Sequence, residues 1–545
     1  HRLLRHGPLS DDGNAPTSAA GTSPLVPTSG RPLGGAEVFV SFFCLYLLTA
    51  SRSPPFGDAL PMWEAAQSLA RHGSFAIDLR WPVNAPIGRG GHYFPVAALL
   101  ACLVHLPGAL LQRALGALAP AHASELMVAT CQLGPIVLGA LTPALFFRLL
   151  GQLGYSRRQA AWTTLLLGTG TSLWVYARCP YSEILQAACF VVFLGTLLRA
   201  GETPTRAAFL RWGLTVALLI NAKNIYLACL PGALAYLTLR LRARRRDLWS
   251  GLGWAGLGLA PGLFALGAYN YLRWGGVATT GYEAVTIGFW RENIFFGLWG
   301  LLLSPGKSLF LFSPPLLLGL LGIRRLVKQK PHVAMAIGLS VGPIVLVYAR
   351  YLFWSGDWGW GPRFLVFALP ALILPAAELF DRDRPPGRAL LAGVGALLVL
   401  GVAVQCLGNA FVWNDFINIA REAQRAWLGR PDTGGSPLAP EPCFSCFEEV
   451  YGVEWLPPMQ PIAGHWWLLR HKLAGDDWRI AAQDAPWTRD TALTLNIEGP
   501  YDAAKVNWWP LAASHGRPLP IALLSALVLV IATPLGRWRR ALRGP

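Results

Sequence analysis

The charged residues that could carry out chemistry stand at the ends of long hydrophobic runs. Asp58 comes directly after the first of these runs, in Phe56-Gly-Asp58. Four more charged residues lie near such ends or in short loops, while the middles of the runs are almost free of charge: Glu183, Lys223, Lys307 and Arg363. A partly desolvated carboxylate at a membrane interface can take a proton from a hydroxyl group, and arginine or lysine can bind a phosphate ester. These residue types fit a general base beside cations that bind phosphate.

Three of these residues also have a structural alternative. Apolar residues recur at helical spacing from Leu60 to Leu69, so Asp58 could cap the helix that follows, and capping is compatible with catalysis. Arg363 opens a hydrophobic run, where it could anchor the membrane interface or bind phosphate. Lys307, in Ser304-Pro-Gly-Lys307, has the same two interpretations, and the GxxxxGK spacing of a nucleotide-binding loop is absent there.

Five residues are candidates for contacts to a substrate: Glu64, His92, Tyr93, Tyr181 and Glu183. Tyr181 and Glu183 share a short outer loop in which a sugar could be hydrogen-bonded, although Glu183 could equally cap the helix that it begins. His92 and Tyr93 have a purely structural role as their alternative. These five side chains could bind a polar substrate next to Asp58.

The composition is that of an integral membrane protein. Of the 545 residues, 53% are hydrophobic and only 14% are charged, the chain contains 23 Trp, and the mean hydropathy is +0.41. Apolar runs of about 20 residues recur, and each could cross a hydrocarbon core about 30 Å thick. Because backbone polar groups in lipid must be satisfied within the segment, these runs are predicted to be helices.

The formal net charge of +17 raises the alternative of nucleic-acid binding. The basic residues instead cluster in short loops between hydrophobic runs, for example at 157–158, 240–246 and 324–330. Short cationic loops are held on the cytoplasmic side of a membrane, so this charge indicates topology. No basic stripe with interleaved stacking aromatics stands apart from the membrane segments, which argues against a nucleic-acid partner.

The basic loops alternate consistently if the run at 95–118 is a re-entrant or surface-lying helix, interrupted at Pro107-Gly108. The sequence then predicts about twelve membrane spans with both termini inside. The first span covers 38–51, and the others follow at 126–148, 161–177, 181–199, 209–222, 225–239, 252–271, 299–321, 332–353, 364–380, 389–410 and 519–536.

Four regions follow from this topology. Residues 1–35 are predicted to be a disordered cytoplasmic tail, and residues 36–410 a transmembrane core whose first outer loop covers 52–125. Residues 411–517 are predicted to form a small extracytoplasmic cap, before a last helix and basic tail at 518–545. In the cap, Cys443 and Cys446 could form a local disulfide or bind metal, but a lone CxxC lacks the second ligand pair of a zinc site.

Several motifs together resemble the GT-C glycosyltransferases. Phe56-Gly-Asp58, followed by Trp63-Glu-Ala-Ala-Gln-Ser-Leu-Ala70 and Gly91-His-Tyr-Phe-Pro95, is similar to the first outer loop of that superfamily. Within it, the motifs look most like those of the bacterial relatives of protein O-mannosyltransferases and of the lipid A aminoarabinose transferase. Three later motifs resemble those of such bacterial members: Tyr181-Ser-Glu183, Leu303-Ser-Pro-Gly-Lys-Ser-Leu-Phe-Leu-Phe-Ser-Pro314 and Trp358-Gly-Trp-Gly-Pro-Arg-Phe364. The resemblance covers residues 37–410.

The resemblance implies an all-α GT-C fold that transfers a sugar from a polyprenyl-phosphate donor to an extracytoplasmic acceptor, which is a glycan, a lipid or a protein. By position, Asp58 matches the catalytic acid of the first outer loop. Arg363 and Lys307 are the expected partners of the donor phosphate. No convincing metal cluster is present in the sequence, which favours a metal-independent mechanism in which these cations stabilise the leaving phosphate.

The sequence departs from the resemblance at one point. The acid of the first loop is often followed directly by another acidic residue, but here Ala59 follows Asp58. A second carboxylate would therefore have to come from Glu64 or Asp78, or be unnecessary.

The sequence thus predicts an inverting glycosyltransferase in a bacterial inner membrane, with its active site facing the periplasm or the cell exterior. The alternative is a non-enzymatic transporter or flippase that binds lipid-linked sugars in the same outer groove. An ion-coupled transporter would be expected to carry ionisable groups near the bilayer midplane. The charge-free middles of the predicted spans favour the enzyme.

Overall fold

A computed structural model describes residues 32–78, 85–283, 288–356, 358–381, 383, 387–427, 451–475 and 518–543. Within these ranges the chain folds into helices joined by loops, and extended pairing is confined to two antiparallel bridges, in which Ile77 and Ile87 each pair with Tyr93. The CxxC motif at Cys443 and Cys446, considered above as a disulfide or metal site, lies outside the described residues, as does most of the predicted tail at 1–35.

Helices form within all the predicted runs, although several runs are divided into two or three helices. Those of the first half of the chain are α1 (Gly35–Leu48), α2 (Ala59–His72), α3 (Leu99–Leu103), α4 (Leu106–Leu118), α5 (Ala123–Cys131), α6 (Leu133–Gln152), α7 (Arg157–Gly170), α8 (Leu173–Tyr176), α9 (Glu183–Glu202), α10 (Arg206–Ala222), α11 (Leu230–Arg240) and α12 (Arg245–Trp274). Those of the second half are α13 (Ile294–Leu303), α14 (Leu309–Phe312), α15 (Leu316–Gln329), α16 (Pro331–Arg350), α17 (Leu369–Ile373), α18 (Arg388–Ala410), α19 (Trp413–Trp427), α20 (Pro461–Ala474) and α21 (Pro518–Arg543). The 3₁₀ segments Asn224–Cys229, Arg363–Ala368 and Leu374–Phe380 extend α11 and α17.

The prediction of an all-α membrane protein is confirmed. Seven helical segments in the described part of the chain are long and apolar enough to cross a membrane: Leu99–Leu118, Pro120–Gln152, Glu183–Glu202, Arg245–Trp274, Pro331–Arg350, Arg363–Phe380 and Arg388–Ala410. The shorter apolar helices α1 and α13 come in addition. The chain is a multi-pass membrane protein, and the count of about twelve spans stays a prediction.

The run predicted as one span at 299–321 is divided into three helices. α13 ends before Ser304-Pro-Gly-Lys307, and α14 ends before Ser313-Pro-Pro315. Proline removes a backbone donor and glycine weakens a helix, so both motifs interrupt the hydrogen-bond ladder. Serine side chains accept from backbone groups freed at these breaks, as Ser304 does from the Lys307 N–H at 3.2 Å. The run is apolar throughout, but it does not form one continuous helix.

The run at 95–118 is also interrupted, at Val104-His105 and not at Pro107-Gly108. α3 ends at Leu103, and Pro107 lies in the first turn of α4, where a missing N–H costs nothing. α4 packs against α2 and α5, so this part of the predicted first outer loop is a layer of short helices. The layer supports the start of α2, where Asp58 lies.

Arg178 joins three segments at one end of the bundle. Its guanidinium is fully buried and donates to the Thr49 carbonyl at 2.8 Å and to the Asn409 carbonyl at 2.9 Å. These carbonyls belong to the C-terminal ends of α1 and α18, whose last C=O groups have no partner within the helix and carry partial negative charge. The arginine therefore fixes the loop that leads to Tyr181 and Glu183 against the ends of α1 and α18.

The first and last described helices meet at one end. The Glu37 carboxylate, in the first turn of α1, pairs with Arg537 near the end of α21, and Trp538 Nε1 donates to Ser41 Oγ at 2.9 Å. The start of α1 and the end of α21 therefore lie side by side.

Candidate functional site

Asp58 points away from the helix that it precedes. It occupies the N-cap position of α2, but its side chain makes no capping hydrogen bond. Its Oδ2 instead lies 2.7 Å from Nη1 of Arg363, and the Asp58 side chain remains 43% exposed. Of the two interpretations of Asp58, the structure shows an ion-paired carboxylate that solvent or a ligand can reach.

Arg363 is placed by a turn rich in glycine and tryptophan. Its side chain is only 10% exposed, and its Cζ lies 5.5 Å from the ring centre of Tyr181 and 5.0 Å from that of Phe364. Gly356 has φ +74°, and a Cβ there would lie 2.5 Å from Cγ of Arg363. Glycine is therefore required at position 356, because other residues rarely adopt this positive φ and because a side chain would collide with Arg363.

Lys223 is a second cation close to Arg363. It ends α10, and its Nζ lies 4.6 Å from the ring centre of Phe364 and 5.5 Å from that of Tyr348. These two rings stack, with centres 4.6 Å apart and an angle of 4° between their planes. Both cations therefore lie within about 5 Å of the same ring, an arrangement that lowers the cost of holding two positive charges together.

Glu183 is a buried carboxylate in this group of charges. It is the first residue of α9 and 3% exposed, and its Oε2 has no hydrogen-bond partner among the described residues. Arg363 and Lys223 attract its negative charge, and Asp58 repels it. A buried acceptor without a partner is costly, and a hydroxyl of a bound ligand would satisfy it.

Tyr181 lies beneath the ion pair. Its ring is 3% exposed and stacks on Trp413 of α19, with ring centres 6.4 Å apart, while Phe56 contacts both rings edge-on. Burial raises the pKa of the Tyr181 phenol well above its usual value. The Tyr181 ring lines the site together with Trp413, the first residue of α19, which belongs to the predicted cap region at 411–517.

Lys307 is enclosed behind the Arg363 turn. The residue is 0% exposed, and its Nζ donates to the Gly359 carbonyl at 2.8 Å. It therefore contacts the backbone of the turn that carries Arg363.

The other predicted substrate contacts lie elsewhere in the first outer loop. Burial raises the pKa of Glu64, and its charged neighbours are Arg71 and Asp78. His92 is exposed, and Tyr93 pairs with the backbone of Ile77 and Ile87. Glu183 of α9 is a carboxylate on which the charge of Asp58 acts, and Glu64 or Asp78 as the second carboxylate stays a prediction.

Sequence reasoning did not place Lys223 in the site. The polar interruption Asn221-Ala-Lys-Asn224 was a signal, but nothing in it distinguished this lysine from other charges at helix ends. The role of Trp413 had no signal in the sequence. Within the described ranges, no group of three or more His, Cys, Asp or Glu side chains is arranged to hold a metal ion.

No family model and no curated protein matches this chain. ArnT from Cupriavidus metallidurans bound to undecaprenyl phosphate is similar in structure, with 13% identity, 94% of this chain and 77% of that chain covered, and a TM-score of 0.45. The same protein in the apo state gives 14% identity, 79% and 75% coverage, and a TM-score of 0.41. The Archaeoglobus fulgidus oligosaccharyltransferase in the apo form gives 12% identity, 79% and 63% coverage, and a TM-score of 0.38. The chain is similar to these membrane proteins at low sequence identity.

Proposed function

We propose that this protein is a membrane glycosyltransferase. It moves a sugar from a polyprenyl-phosphate donor to a hydroxyl group of an extracytoplasmic glycan, lipid or protein by inverting displacement. The observation that carries the proposal is the ion pair between Asp58 and Arg363, with Lys223 beside it and Glu183 buried against all three charges. In this proposal, Asp58 is the base, Arg363 and Lys223 bind the phosphate, and Glu183 accepts a hydrogen bond from a substrate hydroxyl. The four residues come from separate parts of the chain.

In the proposed reaction, the acceptor hydroxyl attacks the anomeric carbon of the donor sugar. A new C–O bond forms to the acceptor, and the bond between the anomeric carbon and the phosphate oxygen breaks. Asp58 takes the hydroxyl proton, and polyprenyl phosphate leaves with the bonding electron pair. The attack comes from the side opposite the phosphate, so the configuration at the anomeric carbon inverts.

Arg363 and Lys223 stabilise the charge that develops on the leaving phosphate. Arginine can bind two phosphate oxygens at once, and lysine adds a point charge. Cations that are already in place when the charge develops contribute more to catalysis than groups that must first be ordered. The packing of both side chains on Phe364 provides that order.

We assign Glu183 to a hydrogen bond with a hydroxyl group of the donor sugar or of the acceptor molecule. Its Oε2 lacks a hydrogen-bond partner in the described part of the chain, so an incoming hydroxyl group can donate to it. The nearby charges of Arg363 and Lys223 favour the ionised form of this carboxyl group, and burial opposes it.

The test is transfer by the purified protein in lipid nanodiscs. A panel of polyprenyl-phosphate sugars is offered with hydroxyl-bearing acceptors, and mass spectrometry detects the glycosylated acceptor and the free polyprenyl phosphate. We expect one donor to give both products in equal amounts. Absence of transfer from every donor, together with movement of the intact donor across a vesicle membrane, would establish the transporter alternative instead.

A further inference from the structure

We infer that Lys307 is a positioning residue, which holds the turn before Arg363 and does not itself bind the donor phosphate. The inference rests on the proposed function in one respect, because it takes Arg363 to be a phosphate ligand. It assigns to Lys307 a role different from the phosphate contact that the sequence motifs imply.

Three consecutive carbonyls of the turn are each bound by a side chain from another part of the fold. Trp413 Nε1 donates to the Trp358 carbonyl at 3.2 Å, Lys307 Nζ to the Gly359 carbonyl at 2.8 Å, and the Tyr176 hydroxyl to the Trp360 carbonyl at 3.2 Å. Three donors in a row leave this backbone little freedom. The turn leads directly into Arg363, so these bonds determine where the guanidinium lies.

Of the three donors, only the Lys307 ammonium is charged. A hydrogen bond from an ammonium group is stronger than one from an indole or a hydroxyl. The Lys307 ammonium also binds the middle carbonyl of the three, that of Gly359. Glycine has no side chain whose packing could hold the backbone there. Loss of this bond should therefore release the turn more than loss of either neighbour.

The backbone of Lys307 is anchored on both sides of the turn that carries it. Its N–H donates to Ser304 Oγ at 3.2 Å, and the preceding Gly306 N–H donates to the Glu454 carbonyl at 3.0 Å. The contact at Gly306 is so close that a Cβ there would lie 1.8 Å from the Val453 carbonyl oxygen. A fully enclosed ammonium is costly unless it is hydrogen-bonded, so leaving the Gly359 carbonyl would also be opposed by that cost.

The cations that a phosphate can reach are accordingly Arg363 and Lys223. Lys223 is only half-buried, and Arg363 keeps 10% of its side chain exposed next to the exposed carboxylate of Asp58. Lys307 acts on the phosphate only through the position of Arg363.

The first readout is hydrogen exchange of the purified protein in nanodiscs without any ligand. In Lys307→Met, we expect the amides of residues 358–365 to exchange faster by roughly 10- to 100-fold, the factor for losing a hydrogen bond from a charged group. Lys328→Met is the matched control and should leave this segment unchanged, because Lys328 is an exposed lysine near the end of α15. If Lys307→Met fails to fold, Lys307→Gln keeps an N–H donor without the charge and should show a smaller increase at the same amides.

The second readout is the Kd for polyprenyl phosphate, the carrier lipid without its sugar. Lys223→Gln should weaken this binding about tenfold, in line with the loss of one charged contact. Lys307→Gln should change the Kd much less than Lys223→Gln does, since the charge of Lys307 does not touch the phosphate. Weaker binding in Lys307→Gln equal to that in Lys223→Gln, with unchanged exchange of the unliganded turn, would overturn the inference.

The two readouts separate this inference from the proposed function. If neither Lys223→Gln nor Arg363→Gln alters the binding of polyprenyl phosphate, the proposed function fails. Faster exchange of the turn in Lys307→Met would still support the positioning of Arg363 by Lys307 in that case. Unchanged exchange in both Lys307 variants would overturn the positioning role whatever the donor is.

Discussion

The carboxylate of Asp58 and the guanidinium of Arg363 form an ion pair, with Oδ2 and Nη1 2.7 Å apart, at the exposed edge of a buried group of charges. Because the Asp58 side chain is 43% exposed, water can solvate its carboxylate when an incoming anion replaces it at Arg363. A phosphate group bound to Arg363 would take the place of Asp58. In the proposed reaction, this exchange frees the carboxylate to act as a base when the donor is bound.

Arg363→Lys is expected to weaken the binding of polyprenyl phosphate by roughly 10- to 100-fold, because lysine keeps the charge but loses the paired N–H donors. The measurement is the Kd of the purified variant in nanodiscs. Arg350→Lys is the matched control, since Arg350 lies exposed at the end of α16. Equal Kd values for Arg363→Lys and the control would show that Arg363 does not bind the phosphate.

Glu183→Gln should separate transfer from phosphate binding. The amide keeps the size of the side chain but removes the charged acceptor, so transfer should fall by about 10- to 100-fold. Binding of sugar-free polyprenyl phosphate should not weaken, because loss of a negative charge beside Arg363 and Lys223 cannot repel an anion. Initial rates and Kd values are measured in parallel.

Glu202→Gln is the control for this variant, as Glu202 lies at the other end of α9 next to His332. The assignment of Glu183 to a substrate hydroxyl is contradicted if Glu183→Gln transfers sugar at the rate of this control.

His465 is expected to make the stability of the fold depend on pH. Its Nδ1 donates to the Leu407 carbonyl at 2.8 Å near the end of α18, and its ring lies 4.8 Å from that of Trp360. Burial lowers the pKa of His465 from the usual 6.5 to about 4. Between these values the unfolded chain binds a proton that the folded chain does not, so stability is lost as the pH falls from 6.5 to about 4.

The measurement is the thermal unfolding of the protein in nanodiscs across this pH window. His465→Phe should show a smaller fall of the Tm on acidification than the native chain, whatever its Tm at neutral pH. His72→Gln, which changes an exposed histidine, should follow the native chain. A fall in Tm that is the same in all three proteins would mean that His465 is not the titrating group.

The helices and the ends at which charges gather could be predicted from the sequence, because lipid imposes apolar runs and the basic loops report their direction. Asp58 and Arg363 were identified for that reason, and the structure brings them into contact. The enclosure of Lys307 could not be predicted, since the apolar run continues on both sides of its turn. Glu183 was identified only as one of several candidates, because hydropathy does not show which loops meet.

The most direct test of the central claim is to compare transfer and donor binding in Asp58→Asn. The account predicts that transfer falls by roughly 100- to 10,000-fold, the contribution of a general base. The Kd for polyprenyl phosphate should stay the same or decrease, because an uncharged asparagine does not compete with phosphate for Arg363. Asp247→Asn, in the exposed first turn of α12, should leave both quantities unchanged. Transfer by Asp58→Asn at the rate of the native protein would contradict the account.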